Sequence, residues 1–282
     1  MIVDAHTHIF PPDICTRRQE CRSRDGWFAD LYEDPRARMA TAEDLVATMD
    51  LDGVDRAVAC GFAWSDQGRC REHNDYLIES VARYPERLIG LAIVQPRAGR
   101  EAERELERAL DAGLRGLGEL MPDGQGFSLE DADLLSPLAG ILQERGWPLM
   151  THSSEPVGHA YHGKGQTLPQ HVITLAQSFP GLRVVCGHWG GGLPFYELMP
   201  EVAQALQNVF YDSAASPYLY RWRIFPLAVQ MIGAHKILMG SDYPLIRPRS
   251  YLMHLAQLPL QEEDRAAILG GNAAALWLPA GP

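Results

Sequence analysis

Short apolar runs alternate along the chain with longer segments whose apolar residues recur at helical spacing. Eight runs read as strands: Met1–Asp4, Arg56–Cys60, Leu88–Val94, Gly116–Leu120, Pro148–His152, Arg183–His188, Val209–Ser213 and Lys236–Ser241. Between them, Ala42–Leu51, Glu72–Arg83, Arg100–Ala112, Asp131–Glu144, Gln170–Ser178, Phe195–Leu206 and Tyr218–Ile232 have helical periodicity and good helix formers. Thr41 before Glu43 and Asp44, and Ser128 before Glu130, are suitable helix starts. Near-continuous apolar strands alternating with helices imply a parallel sheet covered on both faces. Eight units averaging about 35 residues suit a distorted (β/α)8 barrel, α/β in class, with a doubly wound open sheet as the competing architecture.

Three stretches break this rhythm. Phe10–Ala40 is polar and rich in Arg, Asp and Pro, as an insertion after the first strand would be. Ser153–Thr167 follows the fifth strand and is rich in Gly and His; Asp242–Arg249 follows the eighth and holds two prolines. All three lie after strand C-termini, the face on which barrels carry their chemistry. Leu260–Leu278 reads as one or two helices closing the barrel. With no repeat or linker visible, residues 1–282 read as one domain with an insertion at 10–40 and a lid loop at 153–167.

Composition narrows the partners. Twenty-five basic against 36 acidic residues leave a net charge of −11, which argues against a nucleic-acid or anionic-membrane surface. An anionic substrate stays open, because a bound cation and local arginines can dominate the field inside a pocket. No secretory leader pattern and no run near the ~20 apolar residues of a membrane span are visible. The five cysteines, Cys15, Cys21, Cys60, Cys70 and Cys186, form no CxxC pair, so a reduced, cytoplasmic protein is the expectation.

Chemistry gathers at the strand ends. His6 and His8 sit two apart near the first strand's end, where i and i+2 share a side, so both imidazoles can reach one metal ion. Strand four ends in Glu119, five in His152, six in His188 and eight in Asp242; in a barrel these residues ring one mouth. Such a set suits Zn²⁺, with Mn²⁺, Fe²⁺ or Co²⁺ as alternatives. A single strand-end histidine is more often a packing residue, and Glu119 or Asp242 alone can cap a helix; the convergence of five strands carries the metal reading. Trp147 and Trp189 read as core or rim aromatics, and Cys186 as packing within strand six.

The chain resembles the amidohydrolase superfamily, in the amidohydrolase-related branch that includes the aminocarboxymuconate-semialdehyde decarboxylases. The resemblance rests on Asp4-Ala5-His6-Thr7-His8, Thr151-His152, Gly187-His188-Trp189-Gly190-Gly191, Asn208-Val209-Phe210-Tyr211-Asp212, Ile237-Leu238-Met239-Gly240-Ser241-Asp242-Tyr243-Pro244 and Gly271-Asn272-Ala273-Ala274-Ala275-Leu276. It implies a barrel with a catalytic divalent metal, usually one zinc and in some members two, and a homodimer or larger assembly. By the same resemblance His6, His8 and His152 are metal ligands, and Asp242 binds metal and takes a proton from water. His188 is a second-metal ligand in two-metal members or a catalytic group beside a single metal. Glu119 either bridges two metals or binds substrate or orients a ligand.

Metal-bound water with a pKa near 7 would then be the nucleophile, with Asp242 as general base and acid and His188 stabilising the oxyanion or placing the water. The loop at 153–167 reads as a substrate lid offering His159, Tyr161 and Lys164, or as a polar surface loop. Arg247 can clamp a substrate carboxylate; Arg22 and Arg24 offer the same chemistry but fit a solvated surface better. The leading expectation is hydrolysis of an amide, lactone or related carboxyl derivative of a small molecule, favoured by the relatively short chain. The alternative is metal-dependent non-oxidative decarboxylation or hydration of an unsaturated or aromatic acid, and the third reading is a non-catalytic binding barrel.

Overall fold

The computed structural model describes residues 1–278. Eight strands run in chain order: β1 Val3–His8, β2 Arg56–Cys60, β3 Leu88–Gly90, β4 Leu117–Leu120, β5 Leu149–Thr151, β6 Val184–Cys186, β7 Val209–Asp212 and β8 Ile237–Leu238. Every neighbouring pair is parallel, in the orders β1-β2-β3 and β4-β5-β6-β7-β8. Two parallel bridges join these sheets. Ala92 meets Leu117 between β3 and β4, and Thr7 meets Tyr243 just beyond β8. Bonds from Ala5 N to Met239 O (2.8 Å), Asp242 N to His6 O (2.9 Å) and His8 N to Tyr243 O (2.7 Å) complete the second seam. The sheet closes on itself as a (β/α)8 barrel, which excludes the open sheet.

Alternation along the strands builds the interior. Val3, Ala5, Val58, Cys60, Ile89, Leu91, Met150, Val185 and Leu238 form one cluster, and Trp277 from the last helix, Asn272–Trp277, packs into it as a plug. The opposite strand faces pack against the surrounding helices in a second, larger core that includes Leu117, Leu149, Val184 and Ile237. Helices at Ala42–Asp52, Arg100–Asp111, Ala132–Arg145 and Pro169–Ser178 lie where periodicity places them.

The differences have local causes. The helix expected from Glu72 begins at Gln67, because Asp66 caps it by accepting from Arg69 N at 2.9 Å. The helix expected over 195–206 shortens to Pro200–Ala205. Ahead of it His188–Leu198 winds through left-handed backbone at Trp189 to Gly192, and Pro200 starts the helix that follows. The segment from Tyr218 splits into Ser216–Leu219 and Ile224–Ile232, separated by extended backbone at Tyr220. The insertion after the first strand folds into three short helices, Pro12–Thr16, Arg18–Arg24 and Gly26–Leu31. No helix among the described residues is long and apolar enough to cross a membrane.

Two strand irregularities aim the chemistry inward. Between Asp4 and Thr7 the register of β1 against β2 shifts, so Ala5 and His6 together oppose Val58. Between Leu117 and Leu120, β4 shifts against β5 in the same way, and Gly118 and Glu119 oppose Met150. A bulge of this kind re-aims side chains beyond it. Here it turns His6, and then His8, to the barrel interior above Ala5, and it turns Glu119 inward between two outward leucines. Gly118 has φ +136°, and a Cβ there would overlap the Met150 carbonyl, so glycine is required for β4 to bend as it does.

Candidate metal centre

Glu119 stands in the middle of four imidazoles. Its Oε2 lies 3.5 Å from His6 Nε2 and 3.6 Å from His8 Nε2. Its Oε1 lies 3.2 Å from His152 Nδ1 and 3.5 Å from His188 Nε2. Asp242 closes the ring, with Oδ1 at 3.4 Å from His8 Nε2 and 3.8 Å from His6 Nε2. All six strand-end residues singled out from the sequence thus meet within one pocket. His6, His8 and Glu119, and separately Glu119, His152 and His188, bring ligand atoms close enough to share an ion. Gly187 makes room: a Cβ there would stand 3.0 Å from Glu119 Oε1.

The outer nitrogens decide which way each imidazole faces. His6 Nδ1 bonds Asp212 Oδ2 at 2.8 Å, His8 Nδ1 faces Gly61 O at 3.4 Å, His152 Nε2 faces Gly163 O at 3.1 Å, and His188 Nδ1 faces Ala214 O at 3.3 Å. A carbonyl or carboxylate oxygen only accepts, so each outer nitrogen carries a proton, and when the ring is neutral its inner nitrogen presents a lone pair. His6 Nε2 and His8 Nε2 then face one another at 3.0 Å with no proton assigned between them. Four converging lone pairs and two carboxylates repel unless a cation lies among them. Histidine ligands fixed by outer hydrogen bonds are the usual support of a metal site, so this donor set fits a divalent ion.

Without an ion the cluster must take up protons instead. Burial opposes a charge on His6, but the Asp212 and Glu119 carboxylates outweigh it and hold its pKa well above the ordinary value. Burial likewise opposes the His188 cation, yet its hydrogen bond to Glu119 and the charge of Asp242 carry it up to about 9. The carboxylates move the other way. Burial raises both, but His6 and the bonds from His152 and His188 hold Glu119 well below its usual range, and His8, His6 and His188 bring Asp242 to about 2.

A cavity of about 390 Å³ opens above these residues. Tyr32, Phe62, Met121 and Leu219 supply flat and apolar walls, and Arg38 is the guanidinium on its lining. From the loop at 153–167, His159 and Tyr161 line it. That loop is pinned on both sides: Asp30 Oδ2 accepts from Gly163 N at 3.0 Å, and Asp123 accepts from Gln166 N at 2.7 Å and Thr167 Oγ1 at 2.8 Å.

Other expected substrate contacts fail. Arg247 sits at the start of the helix Pro248–Leu255 and turns to Asp52, which binds its guanidinium outside the cavity. Lys164 donates to Val157 O (2.8 Å) and His159 O (3.1 Å), tying the 153–167 loop to itself, and it does not line the cavity. Arg22 and Arg24, which fit a surface better from the sequence, pair with Gln19 and Glu20 and do not line the cavity. Trp189 is buried and donates to Ser216 Oγ, as a core aromatic. Sequence reasoning gave no role to Asp212, although it too ends a strand, and that position was the available signal. For Arg38 and Tyr32, inside the insertion, no pattern pointed to the cavity.

The closed barrel and the histidine–carboxylate cluster at its mouth define an enzyme with a metal-binding pocket. The chain belongs to the amidohydrolase family (Amidohydro_2), whose family model matches residues 3–278. It is 26% identical to a gamma-resorcylate decarboxylase of Polaromonas sp. over 251 residues, 73% of this chain and 75% of that one. It is 22% identical to a 2-amino-3-carboxymuconate-6-semialdehyde decarboxylase of Dictyostelium discoideum over 247 residues, 71% of this chain and 64% of that one. Its fold matches the crystal structure of 5-carboxyvanillate decarboxylase from Novosphingobium aromaticivorans, complexed with manganese and 4-hydroxy-3-methoxy-5-nitrobenzoic acid. The TM-score is 0.80 at 17% identity, covering 98% of this chain and 96% of that one.

These relatives overturn the expectation of amide or lactone hydrolysis, since each is a decarboxylase.

Proposed function

We propose that this protein is a metal-dependent, non-oxidative decarboxylase of a small aromatic acid, one carrying a hydroxyl beside its carboxylate. The observation that carries this reading is the convergence of four imidazole lone pairs and two carboxylates beneath a cavity with flat apolar walls and one guanidinium. The decarboxylase relatives support it. Manganese, present in the Novosphingobium structure, is the first ion to test; its preference for oxygen and imidazole ligands suits this donor set.

His6, His8, His152 and Asp242 would hold the ion, and Glu119 would join them as a ligand or as the carboxylate that orients His152 and His188. When bound, the ion would supply positive charge that offsets negative charge developing on the substrate. Tyr32, Phe62 and Met121 hold the ring and exclude water, and Arg38 takes an anionic oxygen of the substrate. In the reaction a proton is added to the ring carbon that bears the carboxylate. The bond from that carbon to the carboxylate then breaks, its electron pair returns to the ring, and CO₂ leaves. His188 and Asp242 stand together at the pocket floor beside the reacting carbon, so this pair is placed to deliver that proton.

The test is product identification. Protein loaded with Mn²⁺ is incubated with 2,6-dihydroxybenzoate, 5-carboxyvanillate and simple phenyl esters and anilides. The expected product is the phenol lacking its carboxylate, with one CO₂ per acid consumed. Cleaved esters or anilides with no loss of CO₂ from any acid would overturn the proposal.

A further inference from the structure

A second cavity of about 350 Å³ adjoins the first, with which it shares His159, Tyr161 and Leu219. Glu155, Phe195, Tyr196 and Tyr220 also line it. Glu155 is only 9% exposed. Its Oε2 accepts the Tyr161 hydroxyl at 2.9 Å, while its Oε1 is buried and has no partner among the described residues. Leaving a buried, charged acceptor unmade costs more than a typical hydrogen bond returns, so such a group calls for a partner. The nearby Lys164 ammonium does not serve. It is engaged by the Val157 and His159 carbonyls, and it lies over the Tyr161 ring rather than on the carboxylate.

A carboxylate oxygen can only accept, so the missing partner brings N–H or O–H donors, and a positive charge matches it best. The rest of the wall favours a cation as well. Phe195 is 43% and Tyr196 45% exposed, which leaves aromatic faces uncovered beside the carboxylate. We infer that this cavity binds an organic ammonium group, whose N–H donates to Glu155 Oε1 and whose carbon frame rests on Phe195, Tyr196 and Tyr220. The ammonium belongs either to a separate small amine or to an arm of the substrate that reaches past Tyr161. The site itself does not depend on the reaction proposed above.

Calorimetric titration of the intact, Mn²⁺-loaded protein with benzylammonium and with neutral benzyl alcohol tests this. Benzylammonium is expected to bind at least about tenfold more tightly than the alcohol, the size of a charged hydrogen bond. Glu155→Gln is expected to erase that preference. Tyr220→Leu is expected to weaken both ligands while keeping it; thermal melts confirm that each variant is folded. Absence of benzylammonium binding, equal affinity for the alcohol, or wild-type affinity in Glu155→Gln would overturn the inference. If Glu155→Gln does not fold, the comparison of amine with alcohol and the Tyr220→Leu result still decide. The source is read with a hydroxybenzoate bearing an aminoethyl arm. Binding far tighter than either fragment alone assigns the ammonium to the substrate, and no gain assigns it to a separate amine. Because benzylammonium is scored without turnover, loss of the decarboxylase reading would leave this result standing.

Discussion

Asp212 holds His6 by a 2.8 Å bond from Nδ1 to Oδ2, and its other oxygen accepts the backbone N–H of His188 at 3.1 Å and of Ala214 at 2.9 Å. One buried carboxylate at the end of β7 thus fixes the proton on His6, turns its Nε2 lone pair inward and anchors the turn that carries His188. Replacing it should loosen the metal without removing a ligand. Asp212→Asn is expected to weaken Mn²⁺ binding roughly 10- to 100-fold, the usual effect of losing such a partner. Competition against a fluorescent chelator measures it, and wild-type affinity would remove Asp212 from the account.

Arg38 and Arg247 make opposite predictions. Arg38 lines the cavity and forms no ion pair among the described residues, while Arg247 is held by Asp52. Arg38→Ala should raise KM for the acid by about tenfold or more with a smaller change in kcat, as expected when a charged hydrogen bond to the substrate is lost. Arg247→Ala should leave both constants near wild type. Steady-state kinetics on the two variants separates them, and the reverse pattern would restore the clamp expected from sequence.

His73 sets a pH dependence of stability. Its Nδ1 accepts from Phe62 N (3.2 Å) and Trp64 Nε1 (3.1 Å), and its Nε2 donates to Ile9 O at 2.8 Å, so the neutral ring is fully used. Burial lowers its pKa from 6.5 to about 4. Between these values the unfolded chain binds a proton that the folded chain refuses, so stability falls as pH drops from 6.5 towards 4. The full loss approaches roughly 3 kcal/mol for a shift of this size. Denaturant melts across this range should show the slope. His73→Gln should be less stable throughout and lose that part of it, and a His73→Gln slope as steep as wild type would contradict the assignment.

Gly118 permits the bulge that aims Glu119. Because its φ is +136° and a Cβ would strike the Met150 carbonyl, Gly118→Ala should destabilise by roughly 3 kcal/mol or more, beyond the ordinary cost of a strained residue. Chemical denaturation is the readout. A cost below about 1 kcal/mol would show that β4 has room the geometry denies.

Much of this was legible in the sequence. Apolar runs broken by helical spacing gave the barrel, because a strand buried on both faces has little freedom of pattern. The ligand set was legible for a related reason: His6, His8, Glu119, His152, His188 and Asp242 all sit at strand ends, and barrel closure brings strand ends together whatever their separation along the chain. What escaped was set by packing rather than period. The register shift that lets both Ala5 and His6 face inward leaves no mark in hydrophobicity. Arg38 enters the cavity from an insertion with no regular pattern, while Arg247, an equally plausible arginine, is captured by Asp52 from 195 residues away. The activity was misjudged because it was read from chain length rather than from the chemistry of the pocket.

The central claim is that these six side chains hold an ion on which loss of CO₂ depends. Metal-free protein titrated with Mn²⁺ while CO₂ release from 2,6-dihydroxybenzoate, 5-carboxyvanillate or another acid found to be a substrate is followed tests it most directly. The rate should start near zero, rise in proportion to added metal and level off at a whole-number stoichiometry, with no rise in His6→Ala. Undiminished CO₂ release from the stripped protein, or full occupancy by metal with no CO₂ from any hydroxybenzoate, would contradict the account.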